Sequence, residues 1–133
     1  MSSFNDRIIA EFRENEGRVG APFEGQSILL LHSIGAKSGE PRVNPLATFP
    51  DSGGWIIVAS AGGQPKHPAW YHNLVAHPEV EIEVGTETVP VRAEIVTDGY
   101  DALWSSITAR MPGFQGYQDR VDRTIPLVRL TRR

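Results

Sequence analysis

The sequence predicts a mainly β protein with helices, an antiparallel α+β fold whose strands can close into a small barrel. Two observations predict it. Short runs of alternating apolar and polar residues recur along the chain, and most are joined by turns of hairpin length. A doubly wound parallel sheet would need a helix after nearly every strand, and helical patterns are too few for that. The 133 residues make about one domain. We read residues 1–17 as an N-terminal helix and 26–133 as the body, with no repeat or linker dividing them.

In order, Phe4, Ile8, Ile9 and Phe12 fall at helical spacing in a polar setting, an amphipathic helix that ends near Gly17 and Gly20. Ser27 to Ser33 is an apolar run consistent with a strand buried on both faces. Gly35 to Pro41 has the composition of a hairpin loop, and Arg42 to Phe49 returns as a strand. After a turn at 51–54, Trp55 to Ser60 is again strand-like, and Ala61 to Lys66 is a loop. Pro68 suits the first turn of a helix, in which Trp70/Leu74 and Tyr71/Val75 form two pairs one turn apart. His77-Pro78 closes it. Glu79, Glu81 and Glu83 alternate with Val80, Ile82 and Val84, and Val89 to Ile95 alternates likewise. Asp98 is placed to cap a helix with the stripe Tyr100, Leu103, Trp104, Ile107 and Met111. Residues 111–118 read as a loop or a lid, and Thr124 to Leu130 as the last strand.

The composition narrows the function. A net charge of −3 argues against general nucleic-acid binding. No apolar run approaches the roughly 20 residues of a membrane span, and the charged N-terminal stretch does not resemble a signal peptide. The expected setting is cytoplasmic, with peripheral membrane contact left open. With no cysteine, thiolate catalysis and Cys-ligated metals are excluded. There is no dinucleotide-binding glycine fingerprint, phosphate-binding P-loop or serine nucleophile elbow. His67, His72 and His77 stand five apart, so on one helix each is turned about 140° from the last, which disfavours a shared metal.

Three segments carry possible ligand chemistry. Lys37, Ser38 and Gly39 with Arg42 place two cations, a hydroxyl and a flexible backbone at one hairpin. That is the make-up of an anion-binding nest, and equally of a solvated polar tip. Ser60 to Gly63 leads toward the helix at Pro68, whose N-terminus favours an anion. A plain surface loop has the same composition. Trp70 and Tyr71 suit either a planar ring or the core.

Together the segments GAKSGEPRVNPL (35–46), ASAGG (59–63), HPAWYHNL (67–74), GFQGYQ (113–118) and DRTIPLV (122–128) resemble the deazaflavin-dependent nitroreductases, also called deazaflavin (coenzyme F420)-dependent oxidoreductases. The resemblance runs in unbroken order from about Gln26 to the C-terminus. It implies a split β-barrel of the FMN-binding type and a coenzyme with a flavin-like ring, a phosphate and a glutamate-bearing tail. By that likeness Ala36, Lys37, Ser38 and Arg42 meet the phosphate and acidic tail. Val58, Ala59, Ser60 and Ala61 line the ring edge, and Ala69, Trp70, Tyr71, His72 and Asn73 form the wall beside it. Ser60 and Tyr117 become candidates for stabilising charge and supplying a proton, while Met111, Phe114 and Tyr117 border the acceptor.

The implied activity is hydride transfer to an enone, quinone, unsaturated lactone or nitroarene, a small-molecule partner. Two departures stand out. Some relatives have lysine where Ala61 stands, and those that reduce bulky nitroimidazoles have tyrosines in place of Met111 and Phe114. An FMN-dependent reductase and a non-catalytic protein that stores coenzyme F420 are the competing readings. Oligomeric state stays open.

Overall fold

The computed structural model describes residues 4–18, 27–51 and 53–133, so the expectations for Gly20, Gln26 and Ser52 lie outside the described residues. The Phe4 side chain also lies outside what is described. The elements are α1 (Phe4–Glu14), β1 (Ile28–Ile34), β2 (Pro41–Asp51), β3 (Gly54–Val58), α2 (Ala69–Ala76), β4 (Glu79–Val84), β5 (Glu87–Ile95), α3 (Tyr100–Arg110), α4 (Gly113–Asp119) and β6 (Leu127–Arg132), with a short 3₁₀ turn at Ala61–Gly63. The six strands form a closed antiparallel barrel in the order β1-β2-β3-β6-β5-β4.

Alternation sorts the strand residues into an inside and an outside. Leu29, Leu31, Ile57, Ile82, Val91, Val128 and Leu130 are fully buried in one cluster, into which α2 inserts Trp70 and Leu74. Their neighbours Ile56, Val58 and Leu127 face the other way and pack under α3 and α4 with Phe49, Val96 and Ile107. The strand β1 is buried on both faces, as its apolar run suggests, because α1 covers its outer side: Phe12 packs on Ile28 and Leu30. Arg13 of α1 adds a two-pronged bond to Glu83 at 3.1 and 2.7 Å, and His32 meets the same carboxylate at 2.6 Å. Glu83 is consequently held below the ordinary carboxylate range, chiefly by the Arg13 hydrogen bond.

The strand β2 changes partner midway. Residues 41–47 pair with β1, and residues 48–51 pair with β3. Buried Pro45 lies in the first part, where no β3 residue needs its missing N–H. The uncovered edge of β2 near residues 42–44 is where a cleft opens.

Four expectations need correction. Residues 113–119 form a helix, α4, instead of a loop. Its glycines argue against helix locally, and tertiary bonds hold it: Trp104 donates to Gln115 at 2.8 Å, and Gln118 receives the Ile125 N–H at 2.8 Å while donating to the Arg123 carbonyl at 2.7 Å. The strand β6 begins at Leu127 rather than Thr124, since Gln118 takes the Ile125 N–H and Pro126 has none to offer. Gly99, left-handed at φ 77°, occupies the N-cap of α3 in place of Asp98. The strand β3 stops at Val58, two residues short, because the carbonyls of Ala59 and Ser60 are taken by an arginine.

Candidate coenzyme site

Arg42, Val43 and Asn44 of β2 and Pro68, Ala69, Trp70 and Asn73 at the start of α2 line a cleft of about 360 Å³. The arginine is half exposed and pairs only loosely with Glu40, at 3.5 Å. Across from it, α2 begins after Pro68 with no side-chain cap, so the Ala69 and Trp70 N–H groups point out of the helix unassisted, while that of Tyr71 bonds to the Pro68 carbonyl at 3.0 Å. A guanidinium facing a helix start is an anion-binding donor set. The volume suits a phosphate-bearing tail better than an entire flavin-like coenzyme.

Asn73 ties the two walls together. Its side-chain oxygen accepts the Ala36 N–H at 2.9 Å, and its amide donates to Ser33 at 3.4 Å. Lys37 and Ser38 sit on the exposed tip above and do not line the cleft. The Ser38 hydroxyl receives the Glu40 N–H at 3.2 Å, so it helps to shape its own loop.

The aromatic wall divides. Trp70 is buried among the barrel residues, as a core side chain would be, while its edge still reaches the cleft. Tyr71 stays partly exposed, its ring 4.6 Å from that of His67 at a 41° tilt, and the His67 ring is 5.8 Å from that of His72. Val75 is exposed, so of the Tyr71/Val75 pair only Tyr71 packs against the core. No cluster of metal-ligating side chains occurs among the described residues.

Val58, Ala59, Ser60 and Ala61 run from the end of β3 into the 3₁₀ turn. Ser60 is nearly buried, and its hydroxyl bonds to none of the described residues. Met111, Phe114 and Tyr117 belong to the cluster outside the barrel, with Phe114 set edge-on to Phe49 at 6.1 Å. Tyr117 joins that cluster to the turn: a Cβ on Gly63 would lie 3.2 Å from the tyrosine ring, a tight approach, and the left-handed φ of 83° also favours glycine there. Thus the ring-edge and acceptor-side candidates adjoin, while Lys37 and Ser38 stand apart on the hairpin tip.

Arg123 has no role in the reading of the sequence, though it sits in the quoted segment DRTIPLV. Its guanidinium donates to the carbonyls of Ala59 at 3.1 Å, Ser60 at 2.9 Å and Gln64 at 3.2 Å, and meets His67 Nδ1 at 3.0 Å. Burial and then the charge of Arg123, with a smaller effect from His72, lower the His67 pKa from its ordinary value.

The family model for F420H(2)-dependent quinone reductases matches residues 6–132. The chain belongs to this family. An F420H(2)-dependent quinone reductase of Mycobacterium tuberculosis (strain ATCC 25618 / H37Rv) is 42% identical over 129 residues, covering 93% of this chain and 87% of the relative. Among solved structures, an F420-H2 dependent reductase (FDR-A) is 35% identical with a TM-score of 0.69, covering 77% of this chain and 92% of that one. A chain described as a domain-swapped dimer is 31% identical with a TM-score of 0.72, covering 93% and 95%. The F420H(2)-dependent quinone reductases are oxidoreductases of the split-barrel type, and coenzyme F420 is their cofactor. The Arg42 cleft fits that cofactor, because it offers positive charge and unpaired N–H groups to a phosphate and acidic tail. Among the described residues, no helix is long and apolar enough to cross a membrane.

Proposed function

We propose that the protein passes a hydride from reduced coenzyme F420 to an electron-poor two-electron acceptor, a quinone foremost. Enones, unsaturated lactones and nitroarenes are further acceptors of the same kind. The observation that carries this reading is the cleft in which Arg42 faces the start of α2. The family match and the quinone reductase relative support the choice of acceptor.

When bound, the coenzyme supplies a hydride and is poor at single-electron steps. The protein's part is binding and orientation. Arg42, with Lys37 and Ser38 above it, holds the phosphate and acidic tail, and Ala36 and Asn73 fix the hairpin root against α2. Val58, Ala59, Ser60 and Ala61 border the ring, with Ala69, Trp70, Tyr71 and His72 as the adjoining wall. Met111, Phe114 and Tyr117 give the acceptor an apolar seat. A quinone that gains a hydride also gains a proton to become the hydroquinone. The Ser60 hydroxyl donates a hydrogen bond to the acceptor oxygen as negative charge builds there, and Tyr117 or a water delivers the proton.

The test mixes purified protein with reduced coenzyme and a simple quinone, and follows return of the oxidised coenzyme's absorbance. Multiple turnovers are expected, and failure to bind micromolar coenzyme would end the reading. Ser60→Ala should slow turnover roughly 100- to 1,000-fold with coenzyme affinity kept, the range for losing one charge-stabilising donor. Full turnover would remove Ser60 from the chemistry.

A further inference from the structure

Arg123 has five N–H donors and no acceptor, and its bonds use the whole fork. The Nε–H goes to Gln64 O at 3.2 Å, Nη1 to Ala59 O at 3.1 Å, and Nη2 to Ser60 O at 2.9 Å and Gln64 O at 3.2 Å. The remaining Nη1 contact is His67 Nδ1 at 3.0 Å. Because arginine only donates, His67 accepts there as a neutral ring with its proton on Nε2. No carboxylate pairs with Arg123 among the described residues, so its charge lies directly behind the turn.

The consequence follows from peptide geometry. In a trans peptide the carbonyl of one residue and the N–H of the next point in opposite directions. Drawing the Ala59 and Ser60 carbonyls toward Arg123 therefore turns the Ser60 and Ala61 N–H groups to the far side. The backbone agrees: Ser60 is right-handed (φ −77°, ψ −29°) and Ala61 left-handed (φ 51°). That alternation gathers successive N–H groups into an anion-binding concavity. Neither N–H has a partner among the described residues. A cation on the carbonyl side also polarises these peptides and strengthens their N–H groups as donors.

We propose that Arg123 is a positioning residue, which aims the Ser60 and Ala61 N–H groups at the polar ring edge of the coenzyme without touching the coenzyme itself. This rests on the reading that residues 58–61 border the ring. Arginine is needed for its shape as well as its charge, since a lysine ammonium cannot span three carbonyls as a planar fork does.

The experiment is a coenzyme titration of isotopically labelled wild type, Arg123→Ala and Arg123→Lys, followed by backbone amide resonances, with thermal melts alongside. In the wild type, the Ser60 and Ala61 amides should shift on coenzyme addition. In both variants those amides should already be displaced before coenzyme is added, and affinity should fall at least ten-fold. If Arg123→Ala does not fold, Arg123→Lys carries the test. An arginine with a merely structural role would lower the melting temperature while the folded protein bound coenzyme as before, and that result overturns the proposal. So does binding by the wild type with no shift at Ser60 and Ala61. A wild type that binds no coenzyme overturns the site reading along with it. Binding by wild type and variants alike overturns the Arg123 role alone.

Discussion

The hairpin tip at 35–40 and the turn at 59–64 both carry candidate coenzyme contacts, but they are built differently. The tip closes on itself: Gly35 N–H reaches Glu40 O at 2.8 Å, Gly39 N–H reaches Gly35 O at 2.9 Å, and Glu40 N–H reaches the Ser38 hydroxyl. Its one cation, Lys37, is thereby left facing outward, with Arg42 just beyond it on β2. The turn has two internal bonds, Gly63 N–H to Ser60 O and Gln64 N–H to Ala61 O, and is otherwise held from about sixty positions away, by Arg123 and by the Ala59 N–H bond to Pro126 O at 3.0 Å. A loop that shapes itself leaves its side chains free for a ligand. A loop shaped by a distant residue leaves its backbone free instead.

If that contrast holds, Arg42→Ala should separate binding from folding. Its partner Glu40 is exposed and 3.5 Å away, so breaking the pair changes stability by only about 0.5 kcal/mol. A charge-assisted bond to phosphate is worth about 1.5–3 kcal/mol, or roughly ten- to a hundred-fold in affinity. Coenzyme titration beside a thermal melt reads both quantities. An unchanged affinity would move the phosphate elsewhere.

The root of the hairpin should behave in the opposite way. Asn73 is buried and bonded to both Ala36 and Ser33, so Asn73→Ala leaves the part-buried Ala36 N–H and the buried Ser33 hydroxyl without these partners. The expected loss is about 1–3 kcal/mol, read as a lower urea midpoint with the slope unchanged. A stability equal to wild type would mean that the tip needs no tie to α2.

The same contrast explains what the sequence makes legible. The strands β4 and β5 are plain because alternation is local: Val80 and Ile82 turn inward while Glu79 and Glu81 stay exposed. The hairpin's turn residues are local too, and its cations could be picked out as an anion site. The helix α4 is hidden because Gly113 and Gly116 disfavour it, and the bonds from Trp104 and Gln118 that hold it come from tertiary packing. Arg123 is hidden for the same reason. Nothing near it in the chain marks its partners at 59, 60 and 64, and only the closed barrel, by pairing β3 with β6, brings them together.

The smallest expected effect tests the outside support most directly. Ala61 sits at φ 51°, where an L-residue other than glycine pays about 1–2 kcal/mol. Ala61→Gly removes that cost and makes the unfolded chain more flexible by about 0.4–1 kcal/mol. The net gain should be about 0.5–1 kcal/mol, a few degrees in melting temperature. If Arg123 imposes the left-handed turn, the gain should vanish in the Arg123→Ala background, where Ala61 is free to relax without help from glycine. A double-mutant cycle measures that coupling. An equal gain in both backgrounds would mean that the turn takes its shape from its own residues, and the two loops would then differ in sequence but not in construction.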